Sequence, residues 1–302
     1  VEEKTGLPVF SVYGARRSPS PEQLRGLDAL VFDIQDMGCR FYTYISTLGL
    51  CLEAAAQAKL KFFVLDRVNP LNGVTVEGPV HHGDSSFTAY HALPLRYGMT
   101  LGELAQMYNT ERKLNADLVV IRLQGWSREL WFDQTGLPWI NPSPNMRSLT
   151  AAILYPGLGL HETALSVGRG TGTPFEIAGA PYIDDVKLAA EFNRAGLPGV
   201  RCMPLQYTPT YSTFKDQPCA GLYLAITDRD RLQAVDAGIV LAQILYRLHP
   251  KDFALDKIQT LLQSRETLEA IRAGKSLTEI KTRWQSDLAD FNRRREQFLI
   301  YK

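Results

Sequence analysis

A cluster of polar and ionisable residues directly follows the first predicted strand, the apolar segment 29–32. The cluster comprises Asp33, Gln35, Asp36, Gly38, Arg40, Tyr42 and Tyr44. Packing alone seldom requires such a mixture of carboxylates, amide, arginine and tyrosines. In an open α/β sheet, ligands bind in the crevice beyond the carboxyl ends of the strands. The sequence therefore predicts a binding or catalytic site immediately after this strand.

A second predicted strand, 61–65, repeats this arrangement and ends in Asp66, Arg67 and Asn69. Between the two strands, segment 43–59 carries apolar residues at the three-and-four spacing of a helix with one buried face. Strand, helix and strand form a βαβ unit, which brings both polar clusters to the same edge of a parallel sheet.

Carboxylate chemistry on a sugar is the reaction that these residue types favour. Glycoside cleavage needs one carboxyl group that stays protonated to reach the leaving oxygen, and usually a second that stays ionised. The candidate carboxyl groups are Asp33, Asp36, Asp66, Glu77, Glu162 and Glu176. Asp36, next to a glycine turn, is the favoured catalytic candidate, whereas capping a turn is an equally good interpretation of Asp66.

Two arginines beside or near glycines are candidates for binding a substrate carboxylate, because a planar guanidinium presents paired donors. Arg169 is the first choice and Arg40 the second. Tyr44 has two interpretations, since a tyrosine can line a pocket or simply pack with its hydroxyl satisfied. Glu176 is a candidate substrate contact, although it can also pair with an arginine.

Composition excludes several classes of function. The 302 residues are 45% apolar and 22% charged, with a formal net charge of +1. There is no basic face of the kind that phosphate backbones require, so nucleic acid is not expected as a partner. No apolar run approaches the roughly 20 residues that span a bilayer. The four cysteines lack C-x-x-C spacing and are predicted to pack in the interior.

Cofactor and metal motifs are not found in the sequence. The glycine-rich segment 168–172 matches neither the dinucleotide fingerprint nor the phosphate loop. The five histidines show no H-E-x-x-H spacing, and no G-x-S-x-G elbow marks a serine nucleophile. We therefore expect no cofactor and no metal.

The remaining elements predict two domains. Strands at 8–13 and 118–123 and a helix at 100–109 make residues 1–155 an α/β domain with a largely parallel sheet. A turn-rich crossing loop spans 126–159. Strands at 199–207 and 220–227, helices at 184–195 and 229–248, and a helical tail at 255–302 make residues 156–302 a smaller α+β domain with C-terminal helices.

Six motifs, in order along nearly the whole chain, resemble those of the exo-β-N-acetylmuramidases of bacterial cell-wall recycling. They are Phe32-Asp-Ile-Gln-Asp36 with Arg40-Phe-Tyr-Thr-Tyr44, Leu65-Asp-Arg67, Asn69-Pro70, Val76-Glu-Gly-Pro79, Pro142-Ser-Pro-Asn-Met146 and Ser166-Val-Gly-Arg-Gly-Thr171. The resemblance implies a hydrolase that removes N-acetylmuramic acid from non-reducing ends of peptidoglycan fragments. It also implies a Rossmann-like first domain, a site between the two domains and a periplasmic or secreted location, with the cytoplasm as the alternative.

The residue types, taken together with this resemblance, predict roles for individual residues. Asp36, Glu162 and Asp33 are the catalytic candidates, and Arg169 or Arg40 would hold the lactyl carboxylate of muramic acid. The other expected substrate contacts are Gln35, Tyr44, Asn69, Asn145 and Glu176.

The chain departs from the family pattern in two places. Family members begin with an additional βα portion near a Pro-Glu-His-Gly segment, and residues 1–8 resemble the stretch just after it, so a family acid or base is expected upstream. Around Glu162 the chain is one residue shorter than its relatives and lacks an asparagine. The alternative function is a non-catalytic carbohydrate-binding protein of the cell wall, which would leave its carboxylates exposed or paired on a shallow surface.

Overall fold

The computed structural model describes residues 1–14 and 16–302. Its first unit contains a parallel sheet with strand order β1-β2-β3, in which Phe32 lies opposite Val64. The strands are β1 (Ala29–Phe32), β2 (Lys61–Leu65) and β3 (Asp117–Ile121). Since all three strands are parallel, their carboxyl ends lie at one edge of the sheet.

Three helices accompany this sheet: α1 (Pro21–Leu24), α2 (Tyr44–Ala58) and α3 (Leu101–Glu111). Helix α2 buries an apolar face and ends where Lys59 adopts a left-handed φ of 56°. Helix α3 starts at a capping box, in which Thr100 accepts from the amide of Glu103 and Glu103 accepts from the amide of Thr100. The predicted βαβ unit and the predicted helix at 100–109 are both confirmed.

The second unit contains an antiparallel sheet with strand order β4-β6-β5. Its strands are β4 (Ile177–Ala180), β5 (Val200–Tyr207) and β6 (Cys219–Ile226), and its helices are α4 (Leu149–Leu158), α5 (Asp185–Arg194) and α6 (Ala234–Leu248). Buried Leu222, Leu224 and Leu241 lie in one core with residues of α4 and α5. The predicted fold class, a parallel α/β sheet followed by an α+β unit, is confirmed.

The chain ends in three further helices, α7 (Gln259–Leu262), α8 (Arg265–Arg272) and α9 (Leu277–Arg295). Ile280 and Trp284 of α9 pack in the core of the second unit, whereas Phe291 and Phe298 pack in the core around the parallel sheet. The last helix thus contacts both units. None of the helices within the described ranges is long and apolar enough to cross a bilayer.

Three predictions about elements were wrong. Segment 8–13, which the structure describes, forms no strand, and Val9 and Phe10 are exposed because no neighbouring strand pairs with them. Helix α4 lies inside the predicted crossing loop, where Ser148 caps it by accepting from the amide of Ala151 at 2.9 Å. Strand β4 was omitted from the prediction, because its four residues are mostly alanine and glycine, which have low strand propensity.

Candidate active site

Asp36 is a buried carboxyl group at the carboxyl end of β1, with only 6% of its surface exposed. Its Oδ2 accepts from the amide of Gly38 at 2.7 Å and from the hydroxyl of Tyr97. Its Oδ1 is equally buried but has no hydrogen-bond partner. Burial raises the pKa of Asp36 to about 6, against the opposing effect of these donors. This carboxyl can therefore hold a proton near neutral pH.

Local backbone geometry places this carboxyl group. Gly38 has a φ of +67°, which closes the turn that brings its amide onto Asp36. A Cβ at this position would come within 2.4 Å of Oδ1 of Asn69. A glycine two residues after the aspartate is thus required for two reasons, the turn and the close approach of Asn69.

Aromatic rings lie between Asp36 and the second unit. The rings of Tyr42 and Tyr44 are 4.8 Å apart, those of Tyr42 and Tyr155 are 5.8 Å apart, and those of Tyr155 and Phe175 are 4.7 Å apart. The hydroxyl of Tyr44 donates to the carbonyl of Pro142 at 2.8 Å. Burial raises the pKa of Tyr42, and the nearby charges of Tyr44 and Asp36 add to that rise.

Glu162 and Arg169 lie near the rings of Tyr155 and Phe175. Nη2 of Arg169 is 2.6 Å from Oε2 of Glu162, and the guanidinium is 5.0 Å from the centre of the Phe175 ring. Burial opposes the charge of Arg169, but Glu162 outweighs this effect and raises the pKa of the guanidinium. Burial also raises the pKa of Tyr155, with a further contribution from the charge of Glu162.

Ring contacts therefore run from Tyr42, which is near Asp36, to Phe175, which is near Arg169 and its partner Glu162. Tyr42, Tyr155 and Phe175 are buried, whereas Tyr44 is partly exposed, so Tyr44 is the ring among these four that a sugar can contact.

Asn145 and Glu176, two further residues predicted to contact substrate, lie near Arg169 and Phe175. Oδ1 of Asn145 accepts from the hydroxyl of Tyr211, which is itself near Arg169. Oε1 of Glu176 accepts from the hydroxyl of Ser148 at 2.6 Å. Glu176 therefore interacts with the residue that caps α4, and not with an arginine.

Three residues predicted to belong to the site form contacts with other parts of the protein instead. Arg40 is fully buried and donates to four backbone carbonyls, those of Pro79, Leu93, Leu261 and Leu262. Asn69 donates to the carbonyl of Met99 and accepts from the amide of Leu71. Asp33 is exposed, and its Oδ1 is 2.6 Å from Nη2 of Arg67.

These positions do not favour Arg40 and Asn69 as substrate contacts, because their side-chain polar groups already bind backbone. Gln35 differs, since only its amide nitrogen is used, in bonds to the carbonyls of Asp36 and Val68. Gln35 also lines a small pocket on the first unit.

The other two acids in the candidate pool have structural partners. Asp66 accepts from the hydroxyls of Thr100 and Tyr301 and from the amide of Gly102, at the start of α3. Glu77 pairs with buried Arg96. Within the described residues, no group of three or more His, Cys, Asp or Glu side chains is arranged to hold a metal ion.

Sequence reasoning missed Tyr97, Tyr155 and Tyr211. Tyr155 had a signal, its position in a Tyr-Pro-Gly segment close to the Pro142–Met146 motif. Tyr97 had none, because it lies in an irregular segment far along the chain from Asp36, and only the folded structure brings the two together.

Comparison with known proteins places the chain in a family. The family model "Exo-beta-N-acetylmuramidase NamZ, N-terminal" matches residues 1–150, and its C-terminal counterpart matches residues 153–301. A Bacillus subtilis (strain 168) protein named peptidoglycan beta-N-acetylmuramidase NamZ is 40% identical over all of this chain and 74% of its own length.

Two solved structures from Bacteroides fragilis NCTC 9343 are also similar, both described as DUF1343 family proteins. One has a TM-score of 0.92 at 36% identity and the other a TM-score of 0.77 at 29% identity. Each match covers 100% of this chain and 82% of the solved chain. Both halves of the chain thus match the two family models in order, and the chain belongs to the exo-β-N-acetylmuramidase family.

Proposed function

We propose that this protein is a glycosidase that releases N-acetylmuramic acid from the non-reducing ends of peptidoglycan fragments, in the cleft between its two units. The observation that carries this proposal is Asp36, a buried carboxyl with one unpartnered oxygen at the edge of an aromatic cluster. The family membership and the name of the B. subtilis relative support the same activity.

Asp36 is assigned as the general acid. Its raised pKa keeps the carboxyl protonated at mildly acidic pH, and within the described residues no protein group competes for a proton on Oδ1. As the glycosidic bond breaks, the leaving sugar takes that proton, and water completes the product at the anomeric carbon. Glu162 is assigned as the second carboxylate, which stabilises positive charge at that carbon or activates the water.

Arg169 is assigned to the lactyl carboxylate of muramic acid. Its guanidinium is half-buried beside Phe175, where a charge-assisted hydrogen bond is stronger than in open water. Tyr44 and Asn145 are assigned to the pocket wall, and Glu176 to its outer part. With such a substrate, the proposed location is the periplasm or outside the cell, with the cytoplasm as the alternative.

Burial of the acid favours an enzyme over the alternative, a non-catalytic carbohydrate-binding protein. A binding protein has no need for a carboxyl group that is removed from water and lacks a partner for one oxygen, because such a group costs stability. A general acid requires that environment, since burial is what raises its pKa into the working range.

The direct test is release of 4-nitrophenol from the 4-nitrophenyl β-glycosides of N-acetylmuramic acid and N-acetylglucosamine. We expect release that is selective for the muramic acid glycoside. Release from neither glycoside, with measurable binding of the sugars, would replace the proposal with the carbohydrate-binding alternative.

Arg169→Lys is expected to lower kcat/KM for the muramic acid glycoside by about tenfold, because a point charge replaces a planar fork. Residual activity on the N-acetylglucosamine glycoside should change much less, since that sugar has no lactyl carboxylate. The matched control is Arg194→Lys on α5, an exposed arginine far along the chain. Equal losses on both glycosides would contradict the lactyl assignment.

A further inference from the structure

A small pocket of about 150 Å³ lies next to the proposed site, on the first unit. Its lining includes Gln35, Arg67, Phe132, Leu137, Trp139 and Ile140. Except for Gln35, none of these residues has a role in the assignments above.

The pocket and the proposed site share two structural elements. Gln35 directly precedes Asp36 and is held by its bond to the Asp36 carbonyl. The segment that supplies Trp139 continues into Pro142, which accepts from Tyr44, and Asn145, which accepts from Tyr211. A ligand in the pocket would therefore contact Gln35, the residue immediately before Asp36.

Trp139 is held in a fixed orientation. Its indole nitrogen donates to the carbonyl of Met146 at 3.2 Å, and its ring meets that of Phe132 edge-on, at 5.0 Å between centres. A ring fixed in this way loses little conformational entropy when a ligand packs on it. Ile140 is 76% exposed beside it, an unusual position for a large apolar side chain.

Polar groups stand at the edge of this apolar surface. The amide oxygen of Gln35 accepts no protein hydrogen bond, and the ion pair of Asp33 and Arg67 offers both acceptors and donors. An apolar floor with a few fixed polar groups at its edge is typical of a small-molecule site, and a pyranose has the matching surface, an apolar face surrounded by hydroxyls.

We propose that this pocket binds the sugar on the leaving-group side of the scissile bond, an N-acetylhexosamine. The inference rests on the proposed glycosidase function, because a leaving-group sugar exists only if the chain cleaves glycosides. It gives Asp33 a role in positioning Arg67 at the edge of the pocket, away from the reacting atoms.

The test compares two substrates that share N-acetylmuramic acid and differ in the leaving group. One is the disaccharide in which it is β-linked to N-acetylglucosamine, and the other is its 4-nitrophenyl glycoside. Trp139→Ala should lower kcat/KM for the disaccharide by about tenfold or more, and that for the nitrophenyl glycoside by less than about threefold. Trp139→Phe should keep most of the activity on both.

Ile140→Ser is the second variant, since an exposed side chain can be replaced without disturbing the fold. It should reduce activity on the disaccharide selectively, and Val186→Ser on α5, also exposed, is its matched control. Equal losses on both substrates, or no loss on the disaccharide, would overturn the subsite while leaving the glycosidase proposal in place. Absence of turnover by the unaltered chain on both substrates would overturn both proposals.

Discussion

Asp36→Asn is expected to reduce kcat for release of N-acetylmuramic acid by about 10²- to 10⁴-fold, because it removes the proton donor. The fold should be retained. The amide oxygen can take the place of Oδ2 and accept from Gly38 and Tyr97, while the amide nitrogen takes the place of the unpartnered Oδ1. Turnover of the nitrophenyl glycoside measures the loss, and circular dichroism checks the fold.

The pH dependence of the unaltered chain should agree with this role. A general acid works only while protonated, so kcat/KM should fall as the pH rises through about 6, the pKa of Asp36. The control is Asp117→Asn, since Asp117 is an exposed carboxylate on β3 that pairs only with Lys61. That variant should keep both the rate and the pH profile. Near-normal turnover by Asp36→Asn would exclude Asp36 from catalysis.

Asp36→Asn should raise stability at neutral pH although it lowers activity. The folded state binds the Asp36 proton more tightly than the unfolded state, whose pKa is near 3.8, so this carboxyl destabilises the fold as the pH rises from there through about 6. Above pH 6, the difference between the unfolded pKa of 3.8 and the folded pKa of about 6 lowers the free energy of unfolding by about 3 kcal/mol. Asp36→Asn should therefore unfold at higher urea concentration than the unaltered chain at pH 7.5, and the difference should largely vanish near pH 4.

The position of Asp36 was predictable because it follows from local rules. An apolar strand, a helix with one buried face and a second strand define a βαβ unit, and such a unit brings the ends of its strands to one edge. The glycine two residues later indicates a turn. Each of these signals lies within a short stretch of sequence, so each could be interpreted before the structure was known.

The partners of the other polar residues were not predictable in this way. Arg40 lies within a site motif, but its donors bind the carbonyls of Leu261 and Leu262, more than two hundred residues further along the chain. Tyr97 is the opposite case. It lies in a segment without a recognisable motif, yet its hydroxyl donates to Asp36. A motif shows which residues are needed; whether they contact substrate or backbone depends on long-range packing.

Helix α4 shows the same limit for secondary structure. Its Tyr-Pro-Gly ending is typical of a turn, yet Ala151, Ile153 and Leu154 are buried, and this burial stabilises a helix whose ending would otherwise not favour one. Tyr155 lies in that helix, so the ring that packs on Tyr42 and lies near Glu162 is placed by an element that local signals did not predict.

Glu77→Ala is expected to produce the largest loss of stability, about 3 to 5 kcal/mol in the free energy of unfolding. Oε1 of Glu77 is 2.7 Å from Nη1 of Arg96, and both side chains are at most 3% exposed. Removing the carboxylate leaves the guanidinium buried without its counter-charge. Urea unfolding at neutral pH measures the loss, which is large compared with the total stability of about 5 to 15 kcal/mol that is usual for proteins.

Glu77 also connects the two units that form the proposed cleft. Its Oε2 accepts from the amide of Val235 at 3.1 Å, in the first turn of α6, where backbone amides lack partners within the helix. Asp117→Ala breaks an exposed pair and should cost less than about 1 kcal/mol. The double variant Glu77→Leu with Arg96→Met should recover much of the stability, because no buried charge is left unpaired. If Glu77→Ala cost no more than Asp117→Ala, the Glu77 contact would not hold the units together.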